Sequence, residues 1–213
     1  MSTMRRTWAL LRHAVAFELT MYANLIRWIA RRPSVPPGHE PVGYAQAVTP
    51  VMSLWIFASA VEMPLVHVLL PWRTAQLIAI ALGLWTLVWM FGALAGLRIH
   101  PHLTSESSLR VRNGAFIDVH LPWDAIASVT TKEVELPTTL KSLQPLDTDA
   151  GTDLRVGVSG RVNIAVQLRE PLPVSTRKGD FTPTQVSFWV DEPREVAARI
   201  RERVSSPASR RQP

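Results

Sequence analysis

Two ionisable residues stand inside an otherwise apolar run, and they are the first place to look for chemistry. Glu62 and His67 are the only titratable side chains between Val48 and Leu70. Such groups are costly to bury in an apolar medium and usually have a use. Five residues apart on a helix, they point about 140° away from each other. They share one site only if Pro64, between them, bends the helix. Three roles fit the pair: a polar clasp between helices, part of an oligomer interface or of an ion or proton path, or a metal site. Two helices are too few to enclose a path, so the second role requires an oligomer. Helical spacing in a hairpin sets Glu62 level with Thr86 and His67 level with Gln76.

The remaining candidates are sparser. His100 and His102 alternate on an extended segment, where they fit a shared metal, headgroup phosphates, or plain juxtamembrane polarity. His39-Glu40 is a lone pair in a proline-rich stretch. The chain has no cysteine, which excludes disulfides, thiol catalysis and cysteine-ligated metals. No glycine-rich phosphate loop and no His-Glu-x-x-His helix occurs, and no serine or aspartate has a base at a telling spacing. The sequence therefore reads as non-enzymatic, with no catalytic residue, cofactor or metal expected. The net charge of +6, mostly arginine, favours anionic partners. The basic residues lack interleaved aromatics, so membrane lipid is expected rather than nucleic acid.

The elements that must carry these residues begin with two apolar runs, 48–70 and 75–97, joined by Pro71-Trp72-Arg73. The second run contains no charged residue, and each is long enough to cross a hydrocarbon core. They predict a transmembrane helical hairpin over 45–97. Arg27, Arg31 and Arg32 precede it, Arg98, Arg110 and Arg112 follow it, and the turn offers only Arg73. The positive-inside rule then predicts a multi-pass protein of the cell membrane with both termini cytoplasmic. Tyr44 and Trp72 suit the two interfaces. Ala75, Ala79 and Gly83, then Gly92 and Gly96, are small-residue stripes that fit packing on the first span or a homo-oligomer.

Residues 1–44 read as an amphipathic arm and a linker. Trp8, Leu11, Val15, Leu19, Tyr22, Ile26 and Ile29 recur at helical steps. A third span would have to bury Arg12, Glu18 and Arg27, each costing about 2.5–3.5 kcal/mol at mid-membrane. An interfacial helix avoids that, with Arg5, Arg6, Arg12, Arg27, Arg31 and Arg32 on lipid phosphates. Packing of its apolar face on the protein itself, or on a second copy, is the alternative. A cleaved signal peptide is not expected, because Arg12 and His13 interrupt the apolar run. Four prolines between Pro33 and Pro41 predict a semi-rigid extended linker.

After Leu97 the period changes to that of strands. Ser108–Arg112, Asn113-Gly114 and Ala115–Leu121 read as a hairpin with a type I′ turn. Strands are predicted at 125–134, 154–158, 162–168 and 185–190, with a turn at Ser159-Gly160. Asp191 is placed as the cap of a helix over 192–204. Trp123 is expected to plug the domain against helix or bilayer. The fold class is an α+β membrane protein whose domain at 98–204 is a small β-barrel or sandwich capped by a carboxy-terminal helix, with a disordered tail at 205–213. The run Leu109-Arg110-Val111-Arg112-Asn113-Gly114, with Leu121-Pro122-Trp123-Asp124-Ala125-Ile126-Ala127-Ser128-Val129, resembles the bacterial pleckstrin-homology-like (PH-like) domains found beside transmembrane hairpins. The whole chain resembles two-span actinobacterial membrane proteins that carry one. The Thr/Pro/Asp-rich stretch 131–153 departs from that pattern, where strands should continue. The resemblance implies a binding or assembly module for a partner protein or anionic lipid, with no catalytic residues to carry over. The competing expectation is a transporter or channel subunit that uses Glu62 and His67.

Overall fold

The computed structural model describes residues 2–138, 141–176 and 179–205, without the side chains of residues 2–7, 9, 10 and 13. The expected tail lies almost wholly outside the described residues, as do the side chains of Arg5 and Arg6. The fold is mixed α+β and divides into two compact units. One holds the chain up to Pro33 together with Thr49–Ile99. The other holds Ser34–Val48 and the chain from His100 onward.

The first unit is three helices: α1 (Ser2–Ile29), α2 (Thr49–Leu69) and α3 (Arg73–Ile99). Among the described residues, α2 and α3 are the helices long and apolar enough to cross a membrane. Helix α3 packs against both others. With α2 it forms the expected antiparallel pair, Ser59 meeting Met90 and Met63 meeting Gly83. Against α1 the direction is parallel: Phe17 meets Trp89, Met21 meets Gly92, and Asn24 meets Gly96.

The small residues of α3 explain both seams. A Cβ at Gly83 would come within 2.9 Å of the Met63 side chain, and one at Gly92 within 2.7 Å of the Met21 carbonyl oxygen. The Gly92/Gly96 pair is thus occupied inside the chain by α1, not left open for a second copy.

Helix α1 ends in a Schellman motif. Arg31 adopts φ 52°, its N–H reaches the Trp28 carbonyl at 3.0 Å, and the Arg32 N–H reaches the Arg27 carbonyl at 2.9 Å. Pro33 then prevents the helix from resuming.

The second unit has two main sheets around one core. The first comprises β1 (Glu40–Val42), β2 (His102–Thr104), β3 (Ser108–Asn113) and β4 (Ile117–Pro122), antiparallel in that order. The second comprises β5 (Ile126–Glu135), β6 (Leu143–Thr148), β7 (Gly151–Val156), β8 (Arg161–Leu168) and β11 (Gln185–Phe188), in the order β5-β8-β11-β7-β6, with β7 and β11 parallel. A small hairpin of β9 (Val174–Thr176) and β10 (Gly179–Phe181) joins neither sheet but packs β9 against β4 and buries Val174 in the core, and α4 (Pro193–Ser205) packs on β5 and β8. Leu109, Val111 and Val119 of the first sheet share the core with Ile164, Val166 and Phe188 of the second and with Val196, Ala197 and Ile200 of α4. Neither sheet closes, so the unit is not a barrel.

Three local expectations need correcting. The β3–β4 connection is a three-residue loop, since Asn113 pairs with Ile117 and Gly114 takes φ 56°. The two-residue type I′ turn instead falls at Ser159-Gly160, with φ of 51° and 73° between bridged Val158 and Arg161. The stretch 131–153 does not interrupt the sheet: it carries the end of β5, all of β6 and the start of β7. Pro145 is tolerated in β6 because β6 is an edge strand. The same logic admits Pro41 in β1, which makes part of the proline-rich linker an edge strand.

Candidate functional site

In the helical unit, the polar residues along the three helices are sorted onto two sides of α3. On the α2 side a pocket of about 250 Å³ is lined by Ser59, Glu62, Met63, Val66, Gly83 and Thr86. Glu62 and Thr86 therefore do lie level. Their hydroxyl neighbours are engaged locally, Thr86 donating to the Leu82 carbonyl at 2.9 Å and Ser59 to the Met90 sulfur at 3.9 Å. His67 does not line this pocket. Its level carries a different contact, the Gln76 side-chain amide donating to the His67 carbonyl at 3.0 Å and to the Leu70 carbonyl at 2.7 Å. That amide closes the end of α2, whose last carbonyls have no helical partner. Glu62 and His67 are not brought into one site.

On the α1 side, Glu18 accepts from the Tyr22 hydroxyl at 2.5 Å and from the Trp85 indole N–H at 2.8 Å, while the Trp85 indole also reaches the Tyr22 oxygen at 2.9 Å. Phe17 lies 6.2 Å from the Trp89 ring, and Met21 and Asn24 are buried against the two glycines. The apolar stripe read from the sequence is not the face that packs. Trp8, Leu11, Val15, Leu19, Ile26 and Ile29 all remain outward. The face that packs is Phe17, Met21, Asn24 and Trp28, roughly opposite on the helical wheel.

The expected lipid-binding arginines fall partly into view. Arg12, Arg27, Arg31 and Arg32 are exposed, and Arg31 also serves as the left-handed residue of the helix end. Arg98 lies over the Trp28 ring at 5.8 Å and reaches the Thr49 hydroxyl at 3.4 Å. Arg27, Arg31, Arg32 and Arg98 therefore gather where α1 and α3 end and α2 begins. Arg110 and Arg112 are committed elsewhere. Arg110 pairs with Asp118 across β3 and β4, and buried Arg112 donates to the Ser34 carbonyl at 2.9 Å and the Ser34 hydroxyl at 3.3 Å.

In the β unit, the segment before the hairpin is stitched into the core. Tyr44, expected at a membrane interface, is 1% exposed, and its hydroxyl accepts the Gly114 N–H at 2.8 Å. Its ring stacks on His102 at 4.5 Å, and Phe188 closes the other side at 5.2 Å. His102 is not a juxtamembrane polar residue but a core histidine with both nitrogens used. Nδ1 accepts the Arg112 N–H at 2.9 Å, and Nε2 faces the Trp189 carbonyl at 2.9 Å. An N–H donor at Nδ1 and a carbonyl at Nε2 fix the neutral tautomer with its proton on Nε2. Burial lowers the ring from 6.5 to about 4. It also raises the Tyr44 hydroxyl to about 12.

Asp191 is the other tie. Its place before Pro193 predicts a helix cap, but one carboxylate oxygen accepts the Gln46 N–H at 3.0 Å, and the Asp191 N–H donates to the Gly43 carbonyl at 2.9 Å. Burial holds this carboxyl above the usual carboxylate range. The contact requires glycine at 43, where a Cβ would stand 2.8 Å from the Asp191 carboxylate. A cleft of about 160 Å³ beside it is lined by Pro41, Gly43, Gln46, Asp191 and Arg199. A second, of about 240 Å³, is lined by Asp118, His120, Leu172, Val174 and Ser175. Trp123 is buried in the core and donates to the Ser105 carbonyl at 3.0 Å. Glu40 faces Arg199 at 3.7 Å, and His39 Nδ1 lies 3.2 Å from the Pro37 carbonyl. No set of three metal-ligating side chains occurs among the described residues. No family model matches the chain, and no match is found among curated proteins or solved structures.

Proposed function

We propose that the chain is a membrane-anchored binding module, held in the bilayer by α2 and α3 and working through a PH-like β unit and a basic helix end that engages anionic lipid headgroups. One observation carries the anchor. The large apolar side chains of α2 and α3, among them Leu54, Trp55, Phe57, Val68, Leu77 and Ile78, point outward and stay more than half exposed. The core helix of a soluble protein buries such residues, whereas a lipid-facing helix does not. Arg27, Arg31, Arg32 and Arg98 at one helix end, with Trp28 among them, fit a headgroup layer on the cytoplasmic side. Two sheets about one core, with a carboxy-terminal helix laid on β5 and β8, support the PH-like reading of the β unit, taken as an open sandwich.

The test has two arms. Alkaline carbonate should leave the protein in the membrane pellet, and its release to the supernatant refutes the anchor. Protein purified from membranes should carry co-purifying anionic lipid, counted by native mass spectrometry. The triple substitution Arg27→Gln, Arg31→Gln and Arg32→Gln should remove most of it. Equal lipid on both proteins refutes the headgroup role.

A second reading, a transporter or channel subunit, is favoured by the pocket that holds Glu62 and Thr86 between α2 and α3. Glu62→Gln should then alter ion flux in reconstituted vesicles, and unchanged flux from a folded variant removes it.

A further inference from the structure

We infer that α1 crosses the membrane beside α3 as a third span, so that the start of α1 lies on the same side as the Arg73 turn and Arg31 lies with Arg98 on the other side. The inference rests on the membrane anchoring proposed above.

Register carries it first. Phe17, Met21 and Asn24 meet Trp89, Gly92 and Gly96 in rising order, so α1 runs parallel to α3. Helix α1 has 28 residues and α3 has 27, each about 40 Å long at the rise of an α-helix. Extended along its length, the same register sets Ser2 beside the start of α3. A helix lying flat in the interface cannot keep that register with a helix that crosses.

The polar residues that argue against a third span are handled in two cases out of three. Glu18 reaches the middle of α3, where the Tyr22 hydroxyl and the Trp85 indole both donate to it. A carboxyl held by two side-chain donors inside a bundle differs from one facing lipid. Arg27 falls level with the end of α3, near Arg98, where a long side chain reaches the headgroups. Among the described side chains of α1, Arg12 is the charged one left exposed near mid-depth.

Set against Arg12 is the outward apolar stripe Trp8, Leu11, Val15, Leu19, Ile26 and Ile29, which runs nearly the full length of α1. It is continuous in character with the outward faces of α2 and α3, and the occupant it fits is lipid acyl chain. Leaving α3 to lie flat would strip Glu18 of the Trp85 donor and open the Gly92/Gly96 seam.

The chain has no cysteine, so single cysteines report position without background. Ser2→Cys, Arg73→Cys and Arg31→Cys variants of the full chain are labelled in intact cells with a membrane-impermeant maleimide, then again after lysis. The expected result is labelling of residues 2 and 73 together, with 31 labelled only on lysis, or the reverse pattern if the whole bundle is inverted. Residue 2 labelling with 31 and opposite to 73 overturns the third span while leaving the two-span anchor intact. Indistinguishable labelling of all three, with release by carbonate, means that the anchor itself has failed and the inference with it. A second measurement guards against a misfolded terminus: Phe17→Cys with Trp89→Cys should crosslink through a short bifunctional thiol reagent in native membranes. Absence of that crosslink from membranes that retain the protein also overturns the inference.

Discussion

Acid should loosen the β unit through one imidazole. In the folded protein His102 is buried, accepts from the Arg112 N–H and donates to the Trp189 carbonyl, and titrates at about 4. In the unfolded chain the same ring titrates near 6.5. Between those values the unfolded chain holds more protons, so stability must fall as pH falls from about 6.5 towards 4, and the loss levels off below. The full difference corresponds to about 3 kcal/mol, of which about 2 kcal/mol is lost by pH 5. That is a large part of a domain's typical stability of roughly 5–15 kcal/mol. Asp191 works the other way: its carboxyl is held above the ordinary value, so its share is present at low pH and lost as pH rises through that raised value. That share opposes the histidine, so the net drop on acidification understates the His102 contribution.

The assay is a urea titration of the full chain in detergent micelles, followed by far-ultraviolet circular dichroism at pH 7, 6 and 5. Helices anchored as proposed sit in the micelle and resist urea, so the transition reports the strands. His102→Gln keeps one donor and one acceptor but does not titrate. It should cost about 1–3 kcal/mol at pH 7 through imperfect replacement of the buried bonds and flatten the pH dependence to less than half of the wild-type drop. A wild-type transition that does not move with pH, or a variant that falls in parallel with wild type, refutes the account of this residue.

Three further outcomes follow from the packing. Gly92→Leu drives a side chain into the Met21 carbonyl and should abolish the Phe17–Trp89 cysteine crosslink while leaving α2 and α3 in the membrane pellet. Arg31→Gly relieves a left-handed residue that is not glycine and should stabilise the end of α1 by about 1 kcal/mol, read as slower amide exchange over residues 26–32. Asn163→Ala removes a buried amide that donates to the Val190 carbonyl at 2.8 Å and accepts the Val190 N–H at 2.9 Å. Both backbone groups lose their partner, so the urea transition should lose about 2–4 kcal/mol.

The parts of the chain legible in the sequence are those whose order is local. The apolar runs gave α2 and α3, Pro193 and the Val196/Ile200 stripe gave α4, and alternation gave β3, β4 and β8. What was illegible is set by partners far away in sequence. The period of α1 predicts a helix, but which of its faces packs is decided by Gly92 and Gly96 on another helix. Nothing around Pro41 or Pro145 signals a strand, because only a position at a sheet edge makes proline acceptable there. Tyr44 reads as an interface aromatic until its hydroxyl is seen on Gly114. His102 and Asp191 carry no spacing signal, since each is satisfied by backbone groups, and every sequence offers those everywhere. At the pair singled out first, helical geometry was enough. Glu62 reaches the level of Thr86, His67 that of Gln76, and the two are not gathered into one site.

The pairing of β1 with β2 has a consequence for how the protein is made. Val42 pairs with His102 and Glu40 with Thr104, so the helical hairpin is synthesised between the two halves of one strand pair. At about 5–20 residues per second, β1 waits roughly 3–12 seconds for its partner after leaving the ribosome. Through that interval the Tyr44 ring has neither His102 nor Gly114 to cover it, while the two apolar helices α2 and α3 are being made. The β unit therefore cannot close before the hairpin has been made, and if the hairpin is the proposed anchor, the order of synthesis gives insertion the first turn.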